Sequence, residues 1–264
     1  MGDVIISQKN EKVKNLEKLQ KPRERRAQNS IIIEGEREIT AALAAGLNVK
    51  DFFYCPQLAK NQKLLEKLRI SLKNSQEVSP EVFKKLTYKE NPDGFLAVAE
   101  PRYLSLKELK LPKNPLILVL EAVEKPGNLG GILRTAYAAG VTAVIINDAQ
   151  TDIYNPNVIR ASMGYIFIVP TIVSTIKETA DFLKKNKINI CGATSRGGEN
   201  YTKIDFKKPA AIVLGTENSG LSQDWIKKLN AKITIPMKPG IDSLNVSVSA
   251  AILAYEIGRQ RNFK

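Results

Sequence analysis

Short apolar runs alternate with amphipathic segments along most of this chain. From Ser30, SIIIEG predicts a strand and EREITAALAAG a helix ending at Gly46, with Ile39, Ala42 and Leu43 on one stripe. VKDFFYC predicts a second strand and LAKNQKLLEKLRISLK a helix. SPEVFKKLT predicts a short helix capped by Ser79 with Pro80 at its first position, and GFLAVAE a strand. These make a small α/β unit. Pro101, Pro112 and Pro115 punctuate the stretch that follows, which marks a boundary. Beyond it LILVLEAV, TAVIIND, IFIVP, INICGAT, AAIVLGT and KITIP predict strands. NLGGILRTAYAAG, NPNVIRASMG, STIKETADFLKKNK, LSQDWIKKLN and LNVSVSAAILAYEIGRQR predict the helices between and after them. Unbroken Val/Ile/Leu strands separated by helices imply a parallel sheet covered on both faces. The expected division is a basic extension over 1–29, a small α/β domain over 30–100, a linker over 101–114 and a parallel-sheet α/β domain over 115–264.

Composition narrows the chemistry. The 264 residues include no histidine and two cysteines, Cys55 and Cys191. That excludes Ser-His-Asp and Cys-His hydrolases, HExxH zinc enzymes, disulfide scaffolds and CxxC metal knuckles. No apolar run approaches the roughly 20 residues of a membrane helix. The N-terminus lacks a signal-peptide pattern, so a cytoplasmic protein with no membrane partner is expected. Forty Lys+Arg against 27 Asp+Glu give a net charge of +13, which favours a polyanion such as nucleic acid. A lysine-rich, merely solvated surface is the plain alternative. Residues 12–28 concentrate this charge, with Val13, Leu16 and Leu19 spaced for a short amphipathic helix that Pro22 interrupts.

In parallel sheets, ligands sit beyond the carboxyl ends of the strands, and three such junctions stand out. In EAVEKPGNLGGILRTA, Gly127, Gly130 and Gly131 permit close approach and Asn128 sits where a helix N-cap is expected. Arg134 lies two turns into an apolar helix, where it needs a phosphate or carboxylate partner; a structural salt bridge is the alternative. In LGTENSGLS, Gly215 and Gly220 make a tight turn, Glu217 can accept from a ligand or from Arg134, and Ser219 and Ser222 suit capping. In IPMKPGIDSLNVSVSAA, Ser243 and Asn245 open the last helix. No GxGxxG follows a strand and no GxxxxGK[ST] occurs, which argues against standard dinucleotide and P-loop sites. No acidic cluster suggests a metal pair; Asp148 and Asp152 are weak candidates, and no metal is expected.

NLGGILRTA, LGTENSGLS and IPMKPGIDSLNVSVSAA, in that order, resemble the three motifs of the SpoU/TrmH branch of the SPOUT RNA methyltransferases. IIIEGEREI and NPDGFLAVAE resemble that branch's substrate-binding domain, akin to ribosomal proteins that bind kinked RNA. The resemblance implies S-adenosyl-L-methionine as methyl donor, a ribose 2′-hydroxyl as acceptor, a deep trefoil knot and a homodimer formed through the C-terminal domain. It implies cofactor contacts from Gly215, Ile235 and Leu244, with Thr194 a further candidate. Arg134 would clamp the target phosphate, Asn128 and Glu217 would orient Arg134, and Ser243 and Asn245 would position the ribose or order the cofactor loop. Arg160 and nearby Ser162 are further RNA-binding candidates, and Ala250, Ala251, Ala254 and Gly258 offer a small-residue face for close helix approach. The expected substrate is 23S ribosomal RNA. Transfer RNA, or a non-catalytic role in ribosome assembly on the same fold, are the alternatives.

Overall fold

A computed structural model describes residues 4–216 and 219–263. In chain order the elements are α1 (Glu11–Leu19), α2 (Pro22–Ala27), β1 (Ile31–Glu34), α3 (Glu36–Ala44), β2 (Val49–Tyr54), α4 (Gln62–Ser71), β3 (Ser75–Glu77), α5 (Pro80–Leu86) and β4 (Phe95–Ala99). Then follow β5 (Leu116–Glu121), α6 (Pro126–Ala138), β6 (Ala143–Asn147), α7 (Pro156–Ala161), β7 (Thr171–Val173), α8 (Ile176–Lys185), β8 (Asn189–Ala193), β9 (Glu199–Asn200), β10 (Ala210–Leu214), α9 (Gln223–Ile226), β11 (Ala231–Thr234) and α10 (Val246–Gln260). They form two compact units, Met1–Arg102 with Tyr154–Ile168, and Tyr103–Ile153 with Val169–Lys264.

The first unit is built on a four-stranded sheet in the order β1-β4-β2-β3. The fully buried β4 runs antiparallel to both β1 and β2, and β3 pairs parallel to β2. The basic N-terminal stretch is part of this unit's core. Val13, Leu16 and Leu19 of α1 are buried with Val82, Phe83 and Leu86 of α5, which leaves the lysines of α1 exposed. Arg25 locks the α1–α2 corner from inside, its guanidinium donating to the carbonyls of Leu19 (3.0 Å) and Gln20 (2.7 Å). Ser79 occupies the N-cap of α5, but its side chain makes no capping bond. Residues 154–168 belong to this unit although they fall inside the 115–264 span expected for the larger domain. α7 packs on β1 through buried Val158 and Ile159. IFIVP, expected as a strand, is instead a 3₁₀ turn at Tyr165–Phe167 followed by irregular chain, and β7 starts only at Thr171. The cause is Gly164, at φ +81°, where a Cβ would lie 2.8 Å from the Ala41 methyl; the chain turns tightly against α3 there.

The second unit carries a seven-stranded sheet in the order β7-β6-β5-β10-β8-β11-β9, parallel at every pairing. Its central strands β5, β6 and β10 are buried along their whole length. β5, β6 and β7 step toward one edge, and the four later strands lie on the other side of β5 in the order β10-β8-β11-β9. The direction of strand addition therefore reverses beside β5, the place where such sheets leave a crevice at their carboxyl ends. The 101–114 stretch runs along this unit rather than hanging free: Leu104 bridges to Ile172, and Leu106 and Leu111 pack on the core. α6 and α10 pack on each other. The small-residue face of α10 is consumed inside the chain. Ala250, Ala254 and Gly258 are buried, and a Cβ on Gly258 would meet the Phe263 ring at 2.6 Å. Close approach at Gly258 serves the chain's own C-terminal turn.

Candidate functional site

At the carboxyl ends of β8, β10 and β11, residues 194–196, 215–216, 219–221 and the loop 235–244 enclose a cavity of about 400 Å³. Thr194, Gly215, Ile235 and Leu244, the four residues expected to hold a cofactor, all line it, and so does Ser243. Thr194, Gly215 and Ile235 each follow directly on a strand, and Leu244 lies in the loop before α10. Thr194 follows β8 and donates its backbone N–H to the Ile233 carbonyl at 2.9 Å. Gly215 follows β10 where the chain doubles back, with reciprocal bonds between Thr216 and Gly220 (3.1 and 3.2 Å) and the Thr216 and Ser219 hydroxyls 2.7 Å apart. Only glycine fits at 215, because a Cβ would sit 2.1 Å from the Gly220 carbonyl oxygen. Ser222 ends the loop by capping α9, accepting from the Trp225 N–H at 3.3 Å.

Glu121 anchors this loop and escaped the sequence reading. It is buried at the end of β5 and its carboxylate accepts from the Ser222 N–H at 2.9 Å. A single carboxylate closing an otherwise apolar strand was the available signal. Arg196 and Asp242 also line the cavity and pair across it at 3.3 Å; both are largely exposed, so the pair adds little stability.

The first motif lies beside this cavity. α6 starts at Pro126 with Lys125 as N-cap, so Asn128 falls inside the first turn rather than at the cap. Its Oδ1 accepts from Asn245 Nδ2 at 3.2 Å, and Asn245, not Ser243, caps α10 by accepting from the Ser247 N–H at 2.9 Å. One hydrogen bond thus ties the first and third motifs. Arg134 follows two turns into α6. It is exposed on α6, lines neither this cavity nor its smaller neighbour, and forms no ion pair among the described residues. Glu217 lies outside the described residues.

The remaining two candidates sit in the first unit. Arg160 is exposed and donates to the Tyr88 carbonyl (3.2 Å) and Asn157 Oδ1 (3.3 Å). Ser162 is fully buried at the end of α7, with its hydroxyl donating to the Ile159 carbonyl at 2.9 Å. It offers no surface to an RNA, and its role is to close the helix.

Residues 115–255 match the SpoU rRNA methylase family, and residues 10–97 match the MRM3-like substrate binding domain, a span that includes α1 and α2. The 23S rRNA (guanosine(2553)-2′-O)-methyltransferase RlmP of Bacillus subtilis is 31% identical over 96% of this chain and 98% of its own. A crystal structure of an RNA 2′-O ribose methyltransferase superposes with a TM-score of 0.87 at 36% identity, covering 98% of this chain and 100% of that one. An AdoMet-bound rRNA methyltransferase from Sinorhizobium meliloti superposes at 0.88 with 26% identity, covering 97% of each chain. With both its motif-bearing unit and its N-terminal unit accounted for, the chain belongs to the SpoU rRNA methylase family.

Proposed function

We propose that this protein is an S-adenosylmethionine-dependent methyltransferase that modifies a ribose 2′-hydroxyl in 23S ribosomal RNA. The observation that carries the reading is the single cavity into which Thr194, Gly215, Ile235 and Leu244 converge. Its size lies in the roughly 300–1,000 Å³ range of small-molecule sites. Its composition suits the donor: Leu214, Ile235 and Leu244 give apolar surface for a nucleobase, Gly215 lets backbone approach closely, and Arg196 and Asp242 give charges for an amino acid moiety. Bound there, S-adenosylmethionine supplies a methyl group already activated as a sulfonium.

The chain's own task is alignment and proton removal. Holding a hydroxyl in line contributes about 7–11 kcal/mol, whereas general-base help is worth about 10²–10⁴-fold. Positioning is the larger share, in keeping with a chain that has no histidine. Arg134 serves as a clamp, because a guanidinium makes a poor base. We assign it to the target phosphate, and the hydroxyl proton to a phosphate oxygen or water. Asn128, held by Asn245, orders the approach; Glu217 belongs to the same group by motif position.

The working form in this reading is a homodimer. Val248, Ile252 and Tyr255 repeat at helical spacing along α10, and Val248 and Tyr255 are 46% exposed, an apolar stripe suited to a second copy. Docking there would also explain why Arg134, on the adjoining α6, lies outside the cavities of its own chain. We further read the C-terminal segment as threaded in a trefoil knot, the first unit as the RNA-holding part with a fold akin to ribosomal proteins, and the protein as cytoplasmic.

Labelled-methyl transfer tests the reading. Incorporation into 23S rRNA transcripts, mapped as a 2′-O-methyl mark, is expected, with transfer RNA unlabelled. Labelled transfer RNA would replace the substrate. Donor and RNA binding without transfer would establish a non-catalytic protein.

A further inference from the structure

A second, smaller cavity opens beside the donor cavity. It encloses about 80 Å³ and shares Gly215, Thr216 and Val246 with its neighbour as a common wall. By volume it holds roughly half a dozen waters, the bulk of a sugar ring and less than that of a whole nucleoside. Its other side is the chain between β5 and α6, including Ala122, Glu124, Lys125 and Asn128. Lys125 is the only cation among its described lining residues.

That stretch of chain is held from several directions. Ala122 leaves β5 at φ +50°, a conformation costly for any residue with a Cβ, and its N–H donates to the Asn147 carbonyl at 2.9 Å. The Thr151 hydroxyl donates to the Glu124 carbonyl, and Asn245 holds Asn128. Strained backbone fixed at both ends gives Lys125 a defined place at the edge of the cavity. Pro126 follows at the first position of α6, and the Lys125 side chain does no capping.

We infer that the small cavity seats the acceptor ribose and that Lys125 holds an RNA phosphate flanking it, as a positioning residue for the methyl transfer proposed above. The inference rests on that reading of function. A compact ammonium suits the task, because it holds a phosphate as a point charge without demanding the paired geometry of a guanidinium.

The test compares full-length wild type, Lys125→Gln and Lys125→Arg on one rRNA transcript that the wild type methylates. For Lys125→Gln the expected results are a KM for RNA raised about tenfold with kcat near wild type, unchanged S-adenosylmethionine affinity, and a salt dependence of RNA binding reduced by about one phosphate contact. Lys125→Arg should recover most of the KM. The unchanged donor affinity doubles as the check that each variant is folded. An unchanged KM and salt slope in Lys125→Gln would overturn the assignment, and so would a loss of donor affinity, which would move Lys125 to the neighbouring cavity. A wild type that transfers no methyl group to ribose overturns the functional reading and this inference with it.

Discussion

Gly215→Ala is the sharpest probe of the donor cavity. The added methyl group would lie 2.1 Å from the Gly220 carbonyl oxygen and 2.5 Å from the Leu221 nitrogen, against 3.4–4 Å for ordinary contact. Both obstacles are backbone, so the turn must open by more than an ångström. Opening breaks the reciprocal Thr216–Gly220 hydrogen bonds, each worth about 1 kcal/mol net. If the donor needs the closed turn, binding loses about 2 kcal/mol, roughly 30-fold in Kd. The sheet beneath need not unfold, so the melting temperature should shift by only a few degrees. Calorimetric titration with S-adenosylmethionine, paired with a thermal melt, reads both. Donor affinity within threefold of wild type would refute the reasoning, because it would mean that the closed turn is not part of the binding wall.

Three further outcomes are expected. Arg134→Ala should keep its fold and donor affinity yet lose most methyl transfer; wild-type single-turnover rates in this variant would exclude the guanidinium from the chemistry. Leu16→Ala should destabilise the first unit by about 2–5 kcal/mol, since the side chain is 2% exposed within a packed core; an unchanged denaturation midpoint would show that α1 is not docked in solution. Burial pushes the Glu34 carboxyl above its ordinary 4.5, against hydrogen bonds from the Tyr88 and Lys89 N–H groups that pull it down. The folded chain then binds this proton more tightly than the unfolded chain. The stability contributed by Glu34 is therefore greatest below pH 4.5 and declines as pH rises through the raised value. The stability gap between wild type and Glu34→Gln should narrow with rising pH over that window and flatten above it, and chemical denaturation showing a widening gap would reverse the assignment.

Much of the second sheet was legible because its strands are buried on both faces. LILVLE and AAIVL are apolar at nearly every position, and burial on both faces requires that pattern. β3 and β9 gave no such signal: SQE and EN are polar, short and at sheet edges, and only pairing to a neighbour makes them strands. IFIVP misled for the opposite reason, since its apolar side chains are used in a turn that Gly164 allows and α3 demands. In the site, Gly215 was readable from its tight turn and Thr194 from the end of its strand, whereas Ile235 and Leu244 came from the motif resemblance. Glu121 was not, because its value lies in one hydrogen bond to a backbone group 101 positions away. Ser162 showed the limit of reasoning from residue type: a hydroxyl near an arginine suggested a phosphate, and helix geometry turned it inward.

The passage of residues 154–168 into the first unit sets an order on biosynthesis. The N-terminal half cannot bury β1 completely until Val158 and Ile159, each at most 1% exposed, have left the ribosome. A fragment ending in the 103–114 stretch would lack them, and a fragment starting there would carry them as bare aliphatic surface, worth about 1.5–3 kcal/mol for each side chain left unburied. Neither half is a free-standing piece, so gene fusions or truncations that treat the proline-punctuated stretch as a seam should yield insoluble protein on both sides of the cut.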